Sequence, residues 1–595
     1  MNQTGLSQSM QPLITSDLLS APTLQNEWLR LALPFFPSSI KFFSVNEIPY
    51  IFSISPVQAH PDNLKVPPKT IIPRCQNCSA LPSKFAKSFT KFWKCGVCAH
   101  ENPVLESQFL PDINEYDIRL GKIQGRKPLF LFIIQNSVFF TNDQVKTALG
   151  NALDSWAHSI NTHVALISID EYITVFDLKR PSSRVYIDIG SDFFYIPQCP
   201  SNQAQFSKAF SSLKSTHCPK SNFFPFLKTI CSYFQRRGIC TCILADLIAE
   251  PSEFDQEFTQ ILESRRFSFH LFSEKTADCP KFAKHCDRVR LFEPQCSHLV
   301  APELLKFLNS GFIFNAETNV FAPRCFEIQQ VCSRKNVTGS KVTLTVMDGQ
   351  MCLIPQCKMK YSPEKSIINI QITIDGVFPD GIRVLRVLNF ISRSVAKIEQ
   401  FDGVLFGCYI ARKVAVSAYF ENIESAYKDY LNMCIDYISA WSSEGNYRRS
   451  ILSIFRDVPL LLYSIRNCDL FRRGATTTEI NSMTINLMSM NIEEIRRMLY
   501  PMMILPPLNF PHRLQMSAIG QFKLIIFLRA YDGVAISLDD EDHTDVIESI
   551  SVEYSLPITL YTNIEVAKPF LMEDGSVTFT QFTEKLEVEV NGRRF

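Results

Sequence analysis

Hydrophobic and polar positions change their period several times along the chain. Between 127 and about 310, short apolar runs alternate with longer amphipathic ones. Runs at 129–134, 164–169, 184–189, 239–245 and 267–272 read as buried strands, and 143–158, 223–237 and 253–264 as helices. That alternation predicts a mostly parallel sheet covered on both faces. Short strand-like runs flank this block. Those at 26–65 are broken by proline. Those at 311–388 include 342–347, 367–374 and 383–388, with turn signals at Met347-Asp348-Gly349, Ile374-Asp375-Gly376 and Pro379-Asp380-Gly381. From 389 to about 495 the period is helical. Ile398, Phe401, Leu405, Cys408, Ala415 and Tyr419, then Ile423, Tyr427, Tyr430, Cys434, Ile438 and Trp441, predict two helices packed as a hairpin. Over 496–595 the runs 522–528 and 534–538 flank Tyr531-Asp532-Gly533, a hairpin signal, followed by a short helix at 543–549 and a strand at 555–561. Residues 1–25 read as a loose polar tail, 66–105 stand apart with four cysteines, and 106–126 read as a connector into the trunk, giving a trunk unit of 106–310.

Composition narrows the class. A chain of 595 residues with 46% hydrophobic and 20% charged residues is folded and multidomain, not disordered or fibrous. The formal net charge of +1 speaks against a globally basic nucleic-acid binder. Nineteen cysteines, several inside apolar runs (Cys240, Cys242, Cys408, Cys434), suggest thiols packed as small hydrophobes in a reducing compartment. The first twenty residues lack a charged segment followed by an apolar one, so no signal peptide is expected. No apolar run reaches the roughly 18 residues of a membrane span. The longest, 129–140, is interrupted by Gln135, Asn136 and Ser137. The expectation is a soluble cytosolic protein whose membrane contact, if any, is peripheral.

The strongest chemical signal is Cys75-x2-Cys78 followed, after 16 residues, by Cys95-x2-Cys98. Each Cys-x-x-Cys turn aims two thiolates at one point, and two such knuckles complete a tetrahedral S4 site. One Zn²⁺ held by Cys75, Cys78, Cys95 and Cys98 is expected, structural because four thiolates leave no open position for water. Between the pairs lie Lys84, Lys87, Lys91 and Lys94, interleaved with Phe85, Phe89, Phe92 and Trp93, and no acid. This composition fits a nucleic-acid-binding ribbon, or a solvated loop over a small aromatic core, which a unit this small needs; the second is the simpler reading. Elsewhere the chemistry is thin. There is no phosphate loop, no Gly-x-Gly-x-x-Gly, no Gly-x-Ser-x-Gly and no His-Glu-x-x-His. His158 and His163 read as surface residues, and the acidic run Asp539-Asp540-Glu541-Asp542 as a helix N-terminal cap. No enzyme is expected.

The domain order and several stretches resemble the inner-coat subunits of the COPII vesicle coat, over about residues 25–590. Of the two paralogous subunits, the cargo adaptor matches better. Pro73-Arg74-Cys75-x2-Cys78 with Phe92-Trp93-Lys94-Cys95-x2-Cys98 and Asn102 resembles its zinc element. The stretch from Phe378 through Arg383 and Arg386 to Val387 resembles a strand of its β-sandwich, and Arg393-Ser394-Val-Ala396 the opening of its helical region. Val458-Pro459-Leu460-Leu461, Leu499-Tyr500-Pro501, Leu505-Pro506-Pro507 and Leu514-x-x-Ser517 follow in the order the family shows.

The resemblance implies a multidomain α/β, all-β and all-α chain. Its parts are the first part of a β-sandwich at 26–65, a zinc finger at 66–105, a von Willebrand A-like α/β trunk at 106–310, the rest of the sandwich at 311–388, a helical domain at 389–495 and a gelsolin-like end at 496–595. It implies a non-enzymatic adaptor that binds sorting signals on the cytosolic tails of cargo proteins for transport from the endoplasmic reticulum to the Golgi. Implied partners are the GTPase-activating subunit, as a heterodimer, the small GTPase and the outer-coat cage. It implies peripheral contact with the endoplasmic reticulum membrane, location at exit sites and vesicles, and no nucleic acid. Arg74, Arg383 and Arg386 match family positions and are carried over as cargo-binding candidates. Short acidic or apolar peptides need pockets and a few fixed cations rather than a reaction centre.

Three departures stand out. Ser79 follows Cys78 where the family carries a second arginine, so bidentate carboxylate capture loses a charge there. The first trunk strand ends Ile134-Gln135-Asn136-Ser137-Val138, without the Asp of the Asp-x-Ser-x-Ser pattern, so no divalent-metal adhesion site is expected. The family's long Pro/Gln-rich N-terminal extension is almost absent. Two other assignments compete. The GTPase-activating paralogue would need an arginine beside nucleotide phosphates; Arg513 and Arg529 lie in the right region but in no matching stretch. A zinc-ribbon, von Willebrand A-like component of a transcription and repair factor conflicts with the helical and gelsolin-like halves.

Overall fold

The architecture comes from a computed structural model. It describes residues 28–499 apart from 34, 38–49, 65–71, 105–110, 123–126, 181, 187–194, 215–222, 247–249, 265, 276–278, 293, 333–336, 364–366, 396–400, 443–461, 463–464, 467 and 472–473. Beyond 499 it describes the strands Met502–Ile504, Leu524–Arg529, Asp532–Ser537, Phe570–Leu571, Val577–Thr578, Glu589–Val590 and Arg593–Arg594. The fold is multidomain α/β.

The alternating block folds as a sheet in the order Ser182–Tyr186, Ile173–Asp177, His163–Ile169, Leu129–Gln135, Ile239–Leu244, Phe267–Glu274, Arg288–Phe292. The last five strands of that order are parallel, and the first two are antiparallel additions. Side chains alternate across a strand. Phe130, Phe132 and Ile134 therefore join one core with the helices Asp143–Ser159 and Val300–Leu308. Leu129, Leu131 and Ile133 join a second core with Phe223–Tyr233, Gln256–Glu263 and Pro280–His285. Local signals set the helix starts: Asn142 accepts from Gln144 N–H at 2.9 Å and Asp255 from Phe258 N–H at 2.8 Å. Ile173–Asp177 and Arg288–Phe292 were not predicted, and the second carries Arg288 and Arg290 in place of an apolar run.

A two-sheet sandwich is built from chain on both sides of this block. One sheet orders Leu29–Leu31, Tyr50–Ile54, Ile354–Met359, Phe326–Cys332, Val337–Thr338. The other orders Lys341–Asp348, Phe312–Phe321, Ile367–Val377, Ile382–Val395, Tyr116–Lys122, Asp62–Leu64. Phe36, Phe52, Leu344, Ile370, Ile372 and Phe390 fill the space between them. Three expectations change here. The segment 116–122, read as connector to the trunk, is a sandwich strand paired with Ile382–Val395. That partner runs to Val395, so 389–395 is strand and not helix. Ile374-Asp375-Gly376 is not a turn but lies inside Ile367–Val377. Gly376 sits there because a Cβ would come within 2.4 Å of Ile313 Cγ2. The Pro379-Asp380-Gly381 signal is a true hairpin, with Gly381 at φ +85° and its N–H donating to Phe378 O at 2.9 Å.

The helical region contains Gly403–Phe420, Ile423–Ser442, Thr477–Ser489 and Ile492–Leu499 around one core. The expected pairing of the first two is present. Gly403–Phe420 is long and apolar enough to cross a membrane by length and composition, contrary to the expectation from apolar runs, and 67% of it is buried inside the fold. At its centre Arg412 is fully buried. Its guanidinium donates to Leu487 O at 3.0 Å, Cys352 O at 2.7 Å and Met490 O, at the end of the helix Thr477–Ser489. Carbonyls at a helix C-terminus carry partial negative charge, which is what a buried cation requires.

The same helix covers the trunk. Asn486 accepts from Val289 N–H at 3.3 Å and donates to Val289 O at 2.7 Å, so it satisfies the outer edge of Arg288–Phe292. Arg288, fully buried, pairs with Asp348 at 3.1 Å and donates to Gln350 at the end of a sandwich strand. Arg290 bonds Glu494 at 3.1 Å. Trunk, sandwich and helices thus meet through buried charges. In the last hundred residues Leu524–Arg529 and Asp532–Ser537 pair antiparallel with Arg529 opposite Asp532, as the hairpin signal predicted. The helix at 543–549, the strand at 555–561, the acidic run 539–542, Arg513 and the stretches 500–501, 505–507 and 514–517 lie outside the described residues, as do 458–461 and the tail 1–25.

Candidate metal centre

Two turns of the same design face each other. Ser79 N–H donates to Cys75 O at 2.8 Å and Ala99 N–H to Cys95 O at 3.0 Å. Cys75 N–H donates to Ala80 O at 2.9 Å and Cys95 N–H to His100 O at 2.8 Å. The fourth residue after each leading cysteine is left-handed, Ser79 at φ 63° and Ala99 at φ 61°. This reversal brings both thiols of each pair to the same side. The four sulfurs lie within 4.8 Å of one another, with Cys75–Cys98 at 3.5 Å and Cys78–Cys95 at 3.7 Å. A tetrahedron with Zn–S bonds of about 2.3 Å has edges of about 3.8 Å. The sulfurs present therefore fit one tetrahedral ion. A hydrogen bond from Cys78 draws the Cys95 thiol down, and Cys78 rises in turn. A thiolate is the form a metal takes.

Three short strands, Lys87–Ser88, Phe92–Lys94 and Glu101–Pro103, form the platform. Trp93, Ala80 and Val97 are buried under the sulfurs, and Phe321 of the sandwich packs against them. Gly96 is required by close approach: a Cβ would lie 2.8 Å from Phe85 Cβ. Asn102 ties the halves together. Its Oδ1 accepts from Gln76 N–H at 2.8 Å, and its Nδ2 donates to His100 O at 3.1 Å and approaches Cys75 Sγ at 3.6 Å. Such outer contacts orient metal ligands. Gln371 anchors the whole unit to the sandwich: its Nε2 donates to Leu81 O at 2.8 Å and its Oε1 accepts from Leu81 N–H at 2.6 Å.

The three arginine candidates are not brought together. Arg74 is exposed beside the first knuckle, and its Nη1 reaches Ser79 O at 3.3 Å. Arg383 is exposed and forks onto Asp375 at 2.9 and 2.7 Å. Arg386, three residues on, faces the other side of the strand. It is buried, forks onto Asp117 at 2.9 and 2.9 Å, and donates to Pro56 O at 2.6 Å. The expectation that Arg386 meets a peptide gives way to a structural pair, since its fork is spent inside the sandwich. Asp117 lies in Tyr116–Lys122, whose residue pattern predicts a connector, so nothing local marks the pair.

At the end of the first trunk strand Gln135 is fully buried, and its Oε1 accepts from Asp246 N–H at 3.1 Å. Asn136 donates to Asp170 at 3.0 Å. These amides join the ends of three adjacent strands.

No family model matches the sequence, and no curated protein matches it. Among solved structures the chain is similar to the human COPII-coat protein Sec24c, with a TM-score of 0.69 at 12% sequence identity, over 87% of this chain and 83% of that one. The two share a fold. Weaker overlaps, over 62% of this chain, occur with a von Willebrand factor type A from Catenulispora acidiphila (TM-score 0.36, 9% identity, 91% of that chain) and the ArnB paralog VWA2 from Sulfolobus acidocaldarius (TM-score 0.32, 10% identity, 89% of that chain).

Proposed function

We propose that this chain is a cargo adaptor of the COPII inner coat, a non-enzymatic protein that binds sorting signals on cytosolic tails of membrane cargo. The observation that carries this reading is the fold shared with the human COPII-coat protein Sec24c across most of both chains. The four-cysteine knuckle docked on the sandwich supports it. The ion is Zn²⁺ in a structural role: four soft thiolates select it, and a closed S4 shell leaves no site for chemistry. In this reading the chain pairs with the GTPase-activating subunit, meets the small GTPase and the outer cage, and works on the cytoplasmic face of endoplasmic reticulum exit sites.

Arg74 and Arg383 are the exposed cations of the three carried over. Arg383 is shared with Asp375, so an incoming carboxylate would have to displace that partner. Arg74 makes one backbone contact and is the stronger candidate.

Affinity purification of the tagged chain from its own cells tests the proposal. Stoichiometric recovery of a second protein of similar architecture, with a small GTPase in its GTP state, is the expected result. GTP hydrolysis stimulated by that partner and not by this chain would assign the adaptor role. Stimulation by this chain would make it the activating paralogue, and recovery with a nuclear assembly would overturn the coat reading.

A further inference from the structure

Metal coordination uses the base of the ribbon and leaves its tip unexplained. Residues 87–91, Lys87-Ser88-Phe89-Thr90-Lys91, are all exposed and form a hairpin closed by Phe89 N–H donating to Phe92 O at 2.8 Å. Phe89 is 46% exposed and stacks on Phe92, with ring centroids 4.5 Å apart and planes 24° off parallel. The neighbouring strand places Pro103 opposite Phe92, and Val104 N–H donates to Lys91 O at 3.2 Å, which leaves Val104 38% exposed. The exposed apolar tip is thus Phe89, Phe92 and, opposite Phe92, Pro103, flanked by Lys87 and by Lys91 in the adjoining bend. Between Ser79 and His100 the sequence holds four lysines and no acid. Lys94 bonds Glu101 at 3.5 Å and Lys84 lies 5.7 Å over the Phe85 ring.

This aromatic pair does not serve the core. Trp93, Ala80 and Val97 fill the space under the sulfurs. A single exposed aromatic needs no explanation; a stacked pair with a third apolar residue and flanking lysines is a patch with a chemistry. We propose that the ribbon tip docks on a bilayer carrying anionic glycerophospholipids, with Phe89 entering the headgroup region and Lys87 and Lys91 meeting the anionic surface.

The chemistry favours this partner over others. Phe89 and Phe92 cover one another's faces, so they form a knob rather than two open platforms for stacking bases. The tip has no Asn, Gln or Arg to read a base edge or to fork onto a carboxylate. Lysines are point charges on long stems, suited to a diffuse anionic surface. The base of the hairpin is fixed by the knuckle and by Gln371, so docking orders little new chain. The inference gives residues to the peripheral membrane contact that the coat reading implies but stands on the ribbon alone. Loss of coat partners with retained vesicle docking would sink that reading and leave this one.

Vesicle sedimentation with the full chain tests it, using phosphatidylcholine with or without about 30% phosphatidylserine. Binding is expected only with phosphatidylserine and should weaken as salt rises. Phe89→Ser should lower the partition about tenfold, and Lys87→Glu with Lys91→Glu by more than tenfold. Zinc content equal to the parent's establishes that each variant keeps its knuckle. Phe89→Trp should retain binding and show blue-shifted, quencher-shielded emission on anionic vesicles. Equal partition of the parent and Phe89→Ser, or an unshifted Phe89→Trp emission, would overturn the proposal. So would binding of a single-stranded oligonucleotide that Phe89→Ser abolishes while vesicles are ignored, which would make the tip a nucleic-acid surface.

Discussion

The ribbon and the trunk sheet each hold a backbone in place by different means. The trunk strand Leu129–Gln135 is buried along its whole length, with apolar side chains packed into a core on either face. The ribbon strands have two or three residues each and cover little besides Trp93, Ala80 and Val97. Burial at about 25 cal/mol per Å² sustains the first and cannot sustain the second. The ribbon's order is expected to rest on an ion held between its sulfurs, besides the hydrogen bonds of Asn102 and Gln371. A unit held that way can expose apolar side chains at its tip, because its stability does not require burying them.

The largest expected effect separates the two regions outright. Removing the metal, by chelation or Cys95→Ser, should abolish hydrogen-exchange protection across 75–103 and leave 129–134 and 239–244 protected, read peptide by peptide by mass spectrometry. Simultaneous loss in the trunk would make the two one cooperative unit and break the contrast. Next come the buried cations. Arg288→Met leaves Asp348 buried without its partner, and Arg386→Ala does the same to Asp117. Each should cost about 3–5 kcal/mol by denaturant midpoint. Replacing Arg288 and Asp348 together by apolar residues should recover most of it, and failure to recover would mean the pair does more than neutralise itself. Asn102→Ala should weaken zinc binding about 10- to 100-fold in a chelator competition while the trunk is untouched. Arg383→Ala should be the mildest, below about 1 kcal/mol, because its pair with Asp375 is exposed.

What could be read from sequence follows the same division. The trunk strands were legible because continuous burial leaves continuous apolar runs, as at 129–134 and 239–245. The four-cysteine cluster was legible because its thiols come from two local turns. Features that depend on distant chain were not. Gly376 looked like a turn residue because the side chain that forbids a Cβ there, Ile313, lies far along the chain. Tyr116–Lys122 looked like a connector because its partner strand begins at Ile382. Arg288 and Arg412 carried no signal, since what makes each tolerable is an acid or a carbonyl supplied by another domain, and the buried pairing of Arg386 was hidden because Asp117 lies 269 residues earlier, on the neighbouring strand of the same sheet. The exposure of Phe89 was equally hidden: the four aromatics of the ribbon look alike in sequence, and only Trp93 is fully buried.

The split sandwich has a consequence for how the protein is made. Ile51 pairs with Gln356 and Asp117 with Arg386, about 300 and about 270 residues apart. A ribosome adding about 5–20 residues per second needs about 15–60 s to bring the first of these partners out. For that interval the emerged segment Tyr50–Ile54, apolar along most of its length, has no second sheet to close against, while the trunk between them can already fold. The nascent chain therefore carries an adhesive strand ahead of a finished domain. Holding chaperones should engage it at that stage and let go once the second half of the sandwich has been synthesised.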